Sequence, residues 1–230
     1  MTRAQASDLW SRRPVVRPAV PATRRTNGNA IDAFLDARLV GSGLTPAPRA
    51  DRRTLIRRVT FDLTGLPPDL PLMNQFMADK SANAYEKVVD QLLKKPAYGE
   101  KMALHWLDVA RYADSHGYQD DGYRTQWPWR DWVINAYNKN LPYDEFVTKQ
   151  LAGDLMSDPN GVDGPGTPTK EQLLATGFNR NHKITEEGGT IQEEYRAMYV
   201  TDRTDLFGKG LMGITMECAH CHDHKYDPFS

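Results

Sequence analysis

The chain has 230 residues, with 29 Lys+Arg against 30 Asp+Glu and a formal net charge of −1. That length buries a real core, as one large domain or two small ones, and the near-neutral balance, with no basic tract interleaved with aromatics, gives no reason to expect a nucleic-acid partner. No run reaches the length of a membrane helix, and the first 30 residues lack the apolar centre of a signal peptide.

Residues 1–29 carry Arg12, Arg13, Arg17, Arg24 and Arg25 among prolines and read as a disordered or extended, solvated leading segment. From residue 30 the pattern is helical. Ile31, Phe34, Leu35 and Leu39 are spaced for one face of a helix over 31–43. A helix over 52–63 ends at Gly65 and the Pro67-Pro68 pair, and helices over 69–79 and 83–94 follow, the latter with Tyr85, Val88, Val89 and Leu92 on one side and Pro96 as its stop. The strongest helical pattern runs from Tyr98 to Ser115, with Met102, Ala103, Trp106, Leu107, Ala110 and Ala113 as its buried stripe.

Further helices are expected over 128–140 and 143–155, and the Gly- and Pro-rich stretch 156–168 reads as a loop. Thr169 with Gln172, and Thr190 with Glu193, have the spacing of capping boxes, the second opening a helix that Gly208 and Gly210 end. Strand-like alternation is scarce and no internal repeat stands out. The expectation is an all-α fold, an irregular multi-helix domain over 30–230, truncated at its C-terminus and ending in a C-x-x-C-H segment.

That segment, Cys218-Ala219-His220-Cys221-His222, holds the only two cysteines of the chain. C-x-x-C-H is the attachment pattern of c-type haem: two thiols are spaced to add to two vinyl groups, and the next histidine is placed to bind iron. Cys218 and Cys221 are therefore expected to hold haem c, with His222 as the proximal iron ligand. His182, His105, Met212 and Met216 are candidate distal ligands. His224 lies too close in sequence to reach the other face of the same iron without unwinding the segment.

Zinc is the rival cofactor, held by Cys218, Cys221, His222 and His224, or more easily by Cys218, Cys221, His224 and a distant His182. A thioredoxin-like pair ranks last, because no βαβ pattern surrounds the cysteines. Asp114, Asp120, Asp121 and His116 share a loop able to take a hard cation or to remain solvated. Asp158, Asn160 and Asp163 lack the spacing of a calcium loop. The tryptophans, four of five between 106 and 132, read as packing rather than as a carbohydrate platform.

Seven stretches also carry a family resemblance: Arg57 to Pro68, Tyr98-Gly99-Glu100, His105 to Asp114, Gln150 to Leu155, Thr176 to His182, Glu187-Gly188-Gly189, and Cys218 to Pro228. In order and content they resemble the planctomycete cytochrome-c-associated domain of unknown function. His220 departs from the family pattern C-A-R-C-H-D-H-K-[FY]-D-P, which has arginine there. The resemblance implies haem c and an exported, periplasmic multidomain protein whose export signal lies upstream. It also implies an N-terminal cytochrome-c-like neighbour and a further domain after this one.

The expected role is electron transfer to a redox partner protein or an adjacent cytochrome domain. The competing readings are a zinc-stapled interaction domain and a catalytic haem domain acting on a small or polysaccharide-derived substrate.

Overall fold

A computed structural model describes residues 13–22 and 28–225. The described residues form nine α-helices with short 3₁₀ and π turns and no strand, as the periodicity predicts. They fall into two compact units, one up to Asp51 together with Lys225, the other Arg52–His224.

The first unit contains one helix, α1 (Ala30–Gly41). Asn29 opens it with a complete capping box: its side chain accepts from Asp32 N, and Asp32 reaches back to Asn29 N. Gly43, at φ +70°, closes it. The expected apolar face is not its buried one. Ala33 and Asp36 are buried, whereas Ile31 is 71% exposed and Phe34 and Leu35 are also exposed.

The second unit begins with three helices around a small core. α2 (Arg52–Thr64) supplies Ile56 and Val59, α3 (Leu70–Ala78) supplies Leu72 and Phe76, and α4 (Ala84–Leu93) supplies Val88 and Leu92. Two threonines inside α2 are buried because their hydroxyls bond back one turn, Thr60 to Ile56 O and Thr64 to Thr60 O. Asp69 caps α3 through Leu72 N. The Arg52 guanidinium lies 3.9 Å over the Phe76 ring and donates to Asp79 O, pinning α2 to the end of α3.

The larger core is aromatic. α5 (Pro96–Val109) and α6 (Trp127–Asn138) cross closely, with Gly99 at the crossing: a Cβ there would sit 2.5 Å from Ile134 O. Trp106 stacks on Phe178 and meets Phe146 edge-on, while Trp132 stacks on Phe146 from α7 (Tyr143–Ala152). Buried Gln150 accepts from Trp106 Nε1 at 2.8 Å and donates to Phe146 O, so its amide is satisfied, whereas the buried Trp129 Nε1–H of the same core has no partner among the described residues. Three of the five tryptophans (Trp106, Trp129, Trp132) are thus core residues.

Pro96 opens α5 as well as closing α4, the first-turn position where proline loses nothing. α5 ends at Val109, six residues before the expected end. Tyr112 N bonds Leu107 O and Arg111 N bonds Asp108 O, a Schellman closure with Arg111 at φ +56° where glycine is usual. The expected buried stripe therefore stops at Ala110, and Ala113 belongs to the loop.

α8 (Lys170–Ala175) starts at the predicted Thr169–Gln172 box. α9 (Gln192–Phe207) does not use Thr190: its N-cap is Ile191, without a side-chain bond, and Glu193 pairs with Arg196 instead. With the helix starting one residue late, Glu193 falls at the second position, where it cannot close the box. A π turn, Gly208–Met212, follows α9, and Gly213 at φ +66° reverses the chain into a 3₁₀ turn, Met216–His220.

Candidate functional site

The C-x-x-C-H segment is anchored on the end of α9 by two contacts. A Cβ on Gly208 would lie 2.7 Å from Met216 Sδ, so the absence of a side chain lets Met216 pack there, and Lys209 pairs with Glu217. Burial, with Glu217 next in effect, raises the Asp205 carboxyl above its ordinary value.

Cys218 lies within the 3₁₀ turn and Cys221 is its C-cap; both are exposed free thiols. Three residues apart at one residue per third of a turn, they leave the backbone on the same side. His222 is exposed, and its Nδ1 lies 2.8 Å from Asp223 O. A carbonyl only accepts, so Nδ1 carries the proton and Nε2 of the neutral tautomer is the nitrogen with the lone pair. Two accessible thiols and an imidazole with a free Nε2 match the donor set that haem c requires.

The candidate distal residues divide by their surroundings. Met216 is committed to Gly208, and His224 is half-buried. Met212 is 46% exposed, and His105 is exposed on α5, one helical turn before Val109. Val109 in turn faces Gly210 of the π turn: a Cβ there would lie 3.0 Å from its Cγ1.

His182 is 4% exposed and fully engaged. Arg203 donates to its Nε2 at 2.9 Å, its Nδ1–H donates to Lys183 O at 2.9 Å, and its ring stacks on Tyr199 at 4.6 Å. Burial, helped by Arg203, lowers its pKa below the ordinary 6.5. In this arrangement neither nitrogen offers a lone pair to iron or zinc.

Around His182 lies a polar junction that sequence reasoning did not assemble. Arg124 donates to His182 O, and Arg111 pairs with Asp202 at 2.6 Å. Arg111 Nε, Arg124 Nε, His116 Nδ1, Asp202 Oδ2 and both polar atoms of Asn181, itself 3% exposed, are buried without a partner among the described residues. Native interiors seldom leave such groups unmet. Arg111, Asn181 and His182 all fall in the motif stretches quoted above, but that signal does not show that they meet.

The acidic loop has structural tasks. Asp114 accepts from Gln126 N and Trp127 N at 2.8 Å and so caps α6. Burial opposes its ionisation, but these bonds and that from Tyr112 outweigh burial and hold its pKa low, while burial and Asp114 push the Tyr112 phenol up to about 12. Asp121 accepts from Gly117 N, and His116 pairs with Glu186 at 3.1 Å. Asp158 bonds Asn160 N within its own turn. Among the described residues no group of three or more His, Cys, Asp or Glu is arranged to hold a metal ion, and no helix is long and apolar enough to cross a membrane.

No curated protein and no solved structure matches the chain. Residues 30–230 match the family described as PSCyt2, protein of unknown function (DUF1549), and the chain belongs to that family.

Proposed function

We propose that this member of the PSCyt2 family is a c-type haem-binding domain of an exported, periplasmic multidomain protein, and that it transfers electrons to a redox partner or an adjacent cytochrome domain. The observation that carries the reading is the state of His222: Nδ1–H is held by Asp223 O, which leaves Nε2 as the nitrogen with a lone pair, in a residue that directly follows two free, exposed cysteines in the C-x-x-C-H order.

Cys218 and Cys221 would form the thioethers and His222 the proximal bond. The bound haem would supply a one-electron iron couple, whose potential follows its axial ligands and exposure. The chain's own part is to fix the imidazole tautomer through Asp223 O and to tie the segment to α9 through Met216 and Lys209. Exposure of the segment suits outer-sphere exchange with a docking partner. His105 and Met212 are the distal candidates whose side chains have no hydrogen-bonded partner among the described residues, whereas His182 is held by Arg203.

The test is to express the chain with an export signal and haem-maturation machinery, then record a pyridine haemochrome spectrum with metal analysis. A c-type spectrum that disappears in Cys218→Ala/Cys221→Ala is the expected result. Stoichiometric zinc without haem would reject the proposal in favour of a zinc-stapled domain.

A further inference from the structure

A cavity of about 440 Å³ opens between α6, α8 and the turn after α6, within the size range of small-molecule sites. Its walls are apolar: Trp127, Pro128, Trp132, Ala136, Leu141 and Leu174. Trp127 is 44% exposed, so part of an indole face remains open to solvent. Trp132 is 6% exposed, so its indole forms part of the cavity's inner wall.

The charges at the rim do not cancel. Two Arg130 nitrogens, Nε at 2.9 Å and Nη2 at 2.8 Å, donate to Asp131 Oδ1, and Lys149 lies 3.7 Å from Glu171. Lys139, at the C-terminal cap of α6, and Lys170, at the start of α8, are exposed, and neither ammonium has an ionic or hydrogen-bonded partner among the described residues. The two carboxylates are thus already partnered and the two ammonium groups are not.

We infer that this cavity binds a small organic anion with a flat aromatic body, an aromatic carboxylate or sulfonate. The body would lie between the Trp127 and Trp132 indoles and the aliphatic wall, and the anionic group would meet Lys139 and Lys170. A saccharide fits the lining less well. Its many hydroxyls need paired donors and acceptors, and Asn135 is the one uncharged amide here. The inference does not rest on the haem reading, because the cavity includes no residue of the 218–222 segment.

The test titrates the full chain with 2-naphthoate and with neutral 2-naphthalenemethanol, following tryptophan fluorescence and equilibrium dialysis. The expected result is saturable one-site binding of naphthoate at least tenfold tighter than of the alcohol. Lys139→Gln/Lys170→Gln removes that preference while the melting temperature stays within a few degrees, and Trp127→Ala weakens both ligands. Equal affinity for the two probes, or an unchanged preference in the double lysine variant, would overturn the inference.

Discussion

The Arg203 guanidinium donates to His182 Nε2 at 2.9 Å, across 21 residues of chain, and fixes a buried histidine as its neutral Nδ1–H tautomer. Protonating that ring would set a second positive charge against Arg203 and remove the only lone pair the bond uses.

Stability therefore depends on pH through this residue. The folded-state pKa lies below the ordinary 6.5, so the unfolded chain binds a proton first as pH falls. The contribution is absent above that value and becomes destabilising as pH drops through it, levelling off below the folded pKa. Urea unfolding at pH 7 and pH 5 should show a smaller loss on acidification in His182→Asn than in the parent chain. An identical loss would contradict the tautomer assignment.

Trp106→Phe removes the indole donor and leaves Gln150 Oε1 without a partner in the larger core. The expected cost is about 2–4 kcal/mol in urea unfolding. Adding Gln150→Leu should recover part of it, because a matched apolar pair leaves no orphaned acceptor. Additive losses would contradict the central place given to this bond.

Gly99→Ala places a methyl 2.4 Å from Asn138 Nδ2 and 2.5 Å from Ile134 O. Because a backbone atom is involved, the α5–α6 crossing must open, at about 1–3 kcal/mol, despite the gain in helix propensity. A stabilised variant by thermal melting would show that the helices are not so close.

These relationships mark where sequence reasoning stops. The Thr169–Gln172 box was legible because both partners lie within one turn, and helical class followed from apolar spacing. The Thr190–Glu193 pattern has the same spacing, yet the helix starts one residue later and the box does not form. The end of α5 was hidden for another reason: Arg111 takes a left-handed conformation, and its guanidinium pairs with Asp202, 91 residues away.

The cysteine segment stands out in the sequence because C-x-x-C-H is a local pattern. The engagement of His182 was not, since Arg203 and Tyr199 come from another element. The apolar residues of α1 also show the limit of periodicity, which detects a face but not whether anything covers it.

With haem attached, the distal residue can be identified by substitution. Met212→Ala and His105→Ala should be compared by visible spectrum and reduction potential. One of them is expected to change the spin state and shift the potential while the thioethers persist, a methionine ligand giving the higher potential. His182→Asn should leave the spectrum unchanged. A spectral response to His182 alone would mean that its bond to Arg203 opens to admit the iron.

The most direct measurement is the intact mass of the matured chain under denaturing conditions, since only thioether-bound haem survives unfolding. One haem equivalent per chain is the expected result, lost in Cys218→Ala/Cys221→Ala. A mass equal to that of the bare polypeptide, from cells that mature a control c-type cytochrome, would contradict it.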